Sequence, residues 1–598
     1  MKGIIMKRYK FIFLLTAFFS LFLTQNHFVF AQETAKQDWV SRYNGAGGPS
    51  NDQVQSIILD ENNNIYLTAG IDPDLVSSDH AQFATFKFDP QGNVLWEKRF
   101  ARSSNSLDTP RVLKKDGKGN IYVAGSTYTV GSNSEDYFMT MKYNENGDQL
   151  WTSPALYDGP VHSLYDSVSD MVIDSQGNIY VTGYSTGIGT GYDWAVVKYN
   201  PEGQEQWVAR YNGSANDIDY PSRIHVDSQD NIYVVGYASA TGHSADIALV
   251  KYDGQTGTKL WEAAYNGSLN VKDFGSDIAF DAQGNIYLVG YINGNSSEGP
   301  DGIVIKYDPQ GHEQWTSIYS GSGRDPYFLN QIAVDKEGYV YAAGYGQEGE
   351  EWYNYKVVKL DPSDGHETWL YTYDGSSSYN DSVFKLLLDK DDNIYVTGLS
   401  SRGTYVSSNL YAITTVKLNK DGEPIWITSY ADPEEGGQIP GQVKGMEIDT
   451  QGNVVLAGNF YDNDISFDIV LIKYSQMPTL TLDFKDVTQK VKAADTLKYT
   501  LTLTNNSSEP QDVFYWAKVR KTDGAWLEKE AVIPTPMTLE PNSSRDLTFE
   551  HTVPLTLRPG KYEYWGFVGP EAEAPWSKNP FLFWVTSRLS PAAKDLKK

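Results

Sequence analysis

The chain runs to 598 residues, with 49 basic against 76 acidic side chains, a formal net charge of -27 and no cysteine. A field of that sign repels nucleic acid and anionic lipid. The missing thiols exclude disulfides, thiolate metal sites and a lipidated cysteine, so stability must come from burial, for which the length is ample.

Lys2, Lys7, Arg8 and Lys10 precede an apolar stretch from Phe11 to Leu23, and Val29-Phe30-Ala31 reads as a signal-peptidase site. Residues 1–31 are therefore expected to be a signal peptide cleaved after Ala31, giving a secreted, periplasmic or cell-surface protein. Thr24, Gln25, Asn26 and His27 break the apolar run short of a membrane anchor, and no later stretch is apolar enough to span a bilayer. The segment from Pro478 onward holds 16 basic and 15 acidic residues, so residues 32–477 carry about -32 by themselves. Solubility accounts for most of that charge.

One phrase recurs through this acidic body. It is DENNNIYLTAG ending at Gly70, DGKGNIYVAG at Gly125, DSQGNIYVTG at Gly183, DSQDNIYVVG at Gly236, DAQGNIYLVG at Gly290, DKEGYVYAAG at Gly344, DKDDNIYVTG at Gly398 and DTQGNVVLAG at Gly458. Spacings of 53 to 60 residues leave room for four short strands and three turns, the unit of a propeller blade. In the third copy the strands read SVSDMVID, NIYVTGY, WAVVKYN and EQWVARY. The last residue of the first turn is Gly119, Gly177, Gly284, Gly338 or Gly452 in five copies and Asn63, Asp230 or Asp392 in the others. These types tolerate a left-handed backbone, which predicts positive φ in a hairpin with a bulge.

Seven copies end in a tryptophan strand, at Trp96, Trp151, Trp207, Trp261, Trp315, Trp369 and Trp426, but the eighth stops at Ile472-Lys473-Tyr474. An orphan copy of that strand, Trp39 to Gly45, precedes the first repeat and is expected to complete blade eight. The fold is thus expected to be all-β: an eight-bladed propeller over 32–477, closed by the N-terminal strand. TLTLDFKD, LKYTLTLTNNSS, VFYWAKVRKTDGAW, RDLTFEHTV and GKYEYWGFV then predict a small immunoglobulin-like β-sandwich over 478–586, with a flexible tail at 587–598.

YDWAVVKYNPEGQEQW preceded by DSQGNIYVTGY resembles the bacterial propeller repeat called SBBP, and the resemblance covers 39–474. That family's name refers to seven blades, whereas eight units are counted here, and Tyr-Asn-Gly often stands where the family has Gly-Gly. The resemblance implies a fold and an extracellular setting but no reaction. The C-terminal part resembles the accessory domains of many exported bacterial proteins, with a spacer or attachment role implied.

Residues present in every blade, including the closing Trp and the series Lys87, Lys142, Lys198, Lys251, Lys306, Lys359, Lys417 and Lys473, are read as packing. Two other groups are candidates. Asp52, Asp108, Asp166, Asp219, Asp273 and Asp381 stand at one repeated position before the innermost strand, where they either ring one mouth and bind calcium or cap the inter-blade turn. Tyr327, Phe328, Glu350, Glu351, Trp352 and Tyr353 make blade six irregular and are candidates for a ligand by stacking and hydrogen bonding, with packing of the two loops on each other as the alternative.

No cofactor is identified beyond that calcium alternative. The expected protein is a monomeric, non-catalytic scaffold for an extracellular neutral glycan, peptide or protein. An enzyme acting on glycans is the competing class. A quinoprotein-type dehydrogenase is a weaker one: Asp253 to Trp261 resembles the tryptophan-docking repeat of quinone propellers, but only this blade matches well.

Overall fold

The computed structural model describes residues 30–31, 35–43, 45, 52–71, 81–129, 135–162, 165–242, 244–293, 299–320, 326–347, 352–375, 380–401, 411–431, 440–462, 466–476, 480–485, 490–492, 496–505, 511–521, 532–540, 543–552, 560–569 and 577–586. Among them no helix is long and apolar enough to cross a membrane. Residues 35–475 form one compact unit and the remainder a second.

The first unit is an eight-bladed propeller. In blade three, Ser167–Ile173, Ile179–Thr186, Tyr192–Tyr199 and Glu205–Tyr211 pair in chain order as an antiparallel meander. Its second and third strands are buried almost throughout, because apolar side chains leave both faces toward neighbouring blades. Seven sheets share this order. The eighth consists of Pro440–Ile448, Val454–Asp462 and Ser466–Gln476, with Ala35–Tyr43 as its outer strand. The ring therefore closes through the N-terminal segment, which begins earlier than the predicted Trp39, and Ser475 Oγ donates to Asp38 at 2.7 Å across the seam.

The first turn of each blade has the predicted backbone. All eight positions have φ between 61° and 93°, whether occupied by Gly, Asn or Asp. In blade three the amide of Gly177 donates to Asp174 O and that of Asp174 to Asn178 O, which makes a three-residue loop with its bulge at the glycine. The Asp174 carboxylate accepts the amides of Gln176 and Asn178 and the Tyr180 hydroxyl.

That tyrosine begins a ladder to the next blade. Lys198 Nζ lies 5.1 Å above the Tyr180 ring, and the Trp207 ring is 5.7 Å from it. Lys198 and Trp207 both donate to the carbonyl of Gly254, in the outer hairpin of blade four, at 2.7 and 3.4 Å. Gly257 in that hairpin has φ of 72°, and a Cβ there would stand 2.7 Å from the Trp207 ring. Trp39, Trp96, Trp151, Trp315 and Trp369 donate to the corresponding hairpins of the blades that follow them. Trp261 packs its ring against Gly311 of the next hairpin, and Trp426 has no hairpin to meet. It precedes blade eight, whose outer strand arrives from the N-terminus and so brings no such hairpin, and its buried Nε1 has no acceptor among the described residues.

Among the described residues the second unit contains two sheets. One orders Phe30–Ala31, Leu480–Lys485, Thr496–Asn505 and Ser543–Thr552; the other orders Lys490–Lys492, Ser577–Thr586, Gly560–Gly569, Gln511–Lys521 and Val532–Leu539. Leu497, Tyr499, Leu501 and Leu503 alternate inward, and the rings of Tyr515 and Phe549, from opposite sheets, lie 5.6 Å apart. Phe30–Ala31 falls inside the stretch expected to be cleaved, so removal of 1–31 would delete that edge pair.

The seam yields a matched comparison. Trp151 and Trp426 are 7% and 6% exposed, but only Trp151 Nε1 has an acceptor, the Pro201 carbonyl at 3.1 Å. Replacing either by Phe removes similar volume, so Trp426→Phe should cost less than Trp151→Phe by about 1 to 3 kcal/mol, the penalty of a buried unmet donor. Paired urea melts measure the difference, and equal costs would contradict the assignment.

Candidate functional site

Every innermost strand carries at least one extra residue. The register slips at Gln55, Arg111, Ser169, Ser222, Ser276, Asn330, Phe384 and Lys444, one matched bulge per blade, and a second time at Gly441 in blade eight. A bulge re-aims its side chain and bends the strand. Here these residues line the central bore: all eight face one or both of two cavities, of about 800 and 360 Å³, that share Gln55, Arg111, Ser169, Arg223, Gln331 and Phe384.

The smaller cavity is cationic. Arg111, Lys114, Arg223, Lys385 and Lys444 line it against the carboxylates of Asp170 and Asp277. Both carboxylates already hold neighbouring groups. Asp170 accepts the amides of Met171 at 2.8 Å and Ile224 at 3.4 Å; Asp277 accepts the amide of Ile278 at 2.9 Å and meets His225 Nε2 at 3.2 Å. Burial pushes Asp277 up, but His225, Arg223 and Lys385 outweigh it and hold the carboxyl below its ordinary value. Burial lowers Lys385 despite Asp277 and Glu447, while Arg111 and Lys444 are lowered by burial and then by neighbouring cations, Arg223 and Arg111 respectively. Burial raises Glu447 against the pull of Lys385 and Lys114.

The larger cavity opens toward the mouth, and Tyr184 and Tyr220 are part of its wall. They belong to an aromatic arc. Ring centroids run from Tyr184 to Tyr220 at 4.5 Å, Tyr237 at 5.3 Å, Phe274 at 5.0 Å, Tyr291 at 4.7 Å, Phe328 at 5.0 Å and Tyr345 at 5.0 Å, and Tyr353 stands 5.5 Å from Tyr345. Register explains the continuity. Tyr220 pairs with Tyr237, Phe274 with Tyr291 and Phe328 with Tyr345, each a first-strand residue opposite the residue after the strand-end glycine. Blades one, two, seven and eight put Ile71, Ser126, Leu399 and Asn459 after that glycine, so the arc spans only blades three to six.

Of the blade-six candidates, Phe328 and Tyr353 join this arc at 6.2 Å from each other, and Trp352 is 45% exposed beside them. Tyr327 is buried at 4%: it occupies the position held by Asp in six blades, and its ring fills space that a Cβ on Gly346 would enter at 2.6 Å. Glu350 and Glu351 lie outside the described residues.

All six Asp carboxylates are buried, and each bonds the loop entering its blade. Asp52, Asp166, Asp219, Asp273 and Asp381 accept the amides of Gly45, Gly159, Gly213, Gly267 and Gly375 at 2.6 to 2.8 Å; Asp108 accepts that of Arg102. Asp219, Asp273 and Asp381 also take the amides of Ser239, Asn293 and Ser401. This is the turn-capping geometry, with carboxylates spread one per blade. Among the described residues the group of three able to share one cation is elsewhere, Asp361, Asp364 and His366, on the outer hairpin of blade six.

The bore and most of the arc are hidden in the sequence, because both lie on strands whose pattern repeats. The available signal was the variable residue after each first-strand apolar position, and the Gly-Tyr pairs at Tyr184, Tyr237, Tyr291 and Tyr345.

Burial pushes Asp219 and Asp381 up to about 6 despite their amide donors. The folded state then holds protons that the unfolded chain has released, so this stability is full below the unfolded pKa and is lost as pH rises through about 6. Each group contributes about 2 to 3 kcal/mol at low pH. Asp219→Asn removes the titration, so its cost in urea melts should shrink by about 2 kcal/mol between roughly pH 4 and 7. A constant cost would refute the shift.

Family models of propeller repeats agree with the geometry of the ring. A family model described as outer membrane protein assembly factor BamB matches residues 193–410 and 246–471. The SBBP β-propeller repeat matches 161–189, and a β-propeller domain of unknown function matches 176–204. A regulatory protein, FlaEY, of Caulobacter vibrioides is 23% identical over 37% of this chain and 26% of its own length. An uncharacterized WD repeat-containing protein of Acanthamoeba polyphaga mimivirus is 22% identical over 70% of this chain and 34% of its own. The chain thus spans between a quarter and about a third of the curated relatives it matches. Among solved structures, the WD40 domain of SCAP from fission yeast aligns over 73% of this chain and 97% of that one, at 9% identity and a TM-score of 0.29. The chain is an eight-bladed ring that matches the SBBP β-propeller repeat and other β-propeller family models over part of its length.

Proposed function

We propose that this is an exported, non-catalytic binding protein whose ring presents the aromatic mouth of blades three to six to a neutral glycan or a peptide. The observation that carries the reading is the arc from Tyr184 to Tyr353, whose members other than Tyr237 keep part of their surface open. Partly exposed rings beside a polar cavity suit a ligand with one apolar face and hydrogen-bonding edges. A rigid ring offers such a surface preformed, which lowers the ordering cost of binding. The C-terminal unit serves as an immunoglobulin-like accessory module, and the N-terminal signal directs export.

The assembly-factor description of one matching family is consistent with an interaction role. A secreted enzyme acting on glycans is the second reading, favoured only by the cavity below the arc. The quinoprotein alternative has weaker support, since the Asp253 to Trp261 segment is accounted for as an outer hairpin: Asp253 accepts the amides of Gln255 and Thr256, and Gly257 seats Trp207.

A glycan and peptide array on the mature chain is expected to return a binder. Phe328→Ala combined with Tyr345→Ala should then weaken it at least about tenfold, the loss of roughly 1.4 kcal/mol of ring contact. Trp352→Ala should act in the same direction with the melting temperature preserved. A binder unaffected by all three changes would move the site away from the arc.

A further inference from the structure

The bore beneath the mouth is of opposite sign to the protein around it. A chain of net charge -27 gathers five cationic side chains at the 360 Å³ cavity, against two lining carboxylates, Asp170 engaged with backbone and Asp277 with backbone and His225, and a third, Glu447, acting on Lys385 and Lys114 from behind the wall. Among the described residues none of the five forms an ion pair within 4 Å. Arg111 and Lys444 are bulge residues, side chains the strand register sends into the bore, and both stay exposed there. Unpaired cations confined together in a low-dielectric wall repel one another, and a counter-charge in their midst would relieve that repulsion.

We propose that the bore binds a small multivalent oxyanion, a compound carrying two or more carboxylate or phosphate groups, held by Arg111, Arg223, Lys385 and Lys444. Guanidinium forks match the planar geometry of carboxylate and phosphate oxygens, and the two lysines add point charge. The cavity lies near the lower end of the ligand-pocket range, so the ligand is a small metabolite-sized anion. A polyanionic strand is excluded, because the outer surface repels it and the bore admits only what fits within the ring. Ser169, Ser222, Ser276 and Asn330, which line the adjoining cavity, supply neutral hydrogen bonds on the way in.

The test is a melting-temperature and calorimetric titration of the mature chain with citrate and with inorganic phosphate, against sodium chloride at matched ionic strength. The expected result is saturable stabilisation by at least one oxyanion, with one-to-one stoichiometry, that chloride does not reproduce. Preference for citrate assigns carboxylates, and preference for phosphate assigns phosphoryl groups. Arg111→Gln with Lys444→Gln should weaken binding at least tenfold and, by relieving repulsion, raise the melting temperature of the unliganded protein. Equal shifts with chloride, or oxyanion binding unchanged in the double variant, would overturn the proposal. A glycan or peptide array that returns no binder leaves it standing, and oxyanion binding leaves the mouth reading untouched, so the two fail separately.

Discussion

The propeller depends on one repeated act, the docking of an outer-strand tryptophan against the hairpin glycine of the blade that follows. Trp151 sits 2.7 Å from where a Cβ of Gly203 would stand and donates to Pro201 O, and Trp207 repeats the arrangement on Gly257 and Gly254. The lysine above the tyrosine ring reaches the same carbonyl, so an aromatic wedge, a cation–π contact and two hydrogen bonds converge on one turn. Each blade is thereby fixed to its neighbour at the rim. Because the docking is directional, a ring must end by bringing its last tryptophan strand from somewhere, and here it comes from Trp39.

Rim docking and the inner latches divide the labour. At the inner end, buried carboxylates such as Asp219 clamp the loop from the preceding blade to both Gly213 and Ser239. The same position in blade six is a buried tyrosine, which shows that filling the space can replace the clamp. With rim and latch holding the sheets, the bulged residue on each innermost strand tolerates different roles: Ser222 donates to Gly275 O of the next blade, Phe384 packs on the neighbouring core, and Arg111 and Lys444 stay exposed in the bore. A repeat fold repeats its rim contacts and varies most where several side chains satisfy the same position.

That division explains what was legible. The positive φ at Asn63, Asp230 and Asp392 follows from local backbone chemistry, and the seam follows from a missing strand at one end and a surplus strand at the other. Both are properties of short segments. Phe328 and Tyr353 were visible because blade six departs from its own repeat, whereas Tyr220 and Tyr237 sit in regular blades and gain meaning only once strand register puts them side by side. The bore was the least legible part. Arg111 and Lys444 are separated by more than half the chain, and net charge, a sum dominated by the exterior, carries the wrong sign for the interior.

The bore also differs from sites elsewhere in the ring where a buried cation has a partner: Lys473 pairs with Asp449 at 2.9 Å, and Arg210 with Asp193 at 3.0 Å. In the bore, Asp170 and Asp277 hold backbone amides and Asp277 also meets His225, while Arg111, Arg223, Lys385 and Lys444 form no ion pair within 4 Å among the described residues, although Asp277 and Glu447 act on Lys385 from further off. Stability alone would favour serine at these bulges, the residue present in three of the eight blades and free of any desolvation cost of charge. A local choice that opposes stability, on a strand position that several side chains satisfy, marks the place where a sequence answers to something other than its own folding.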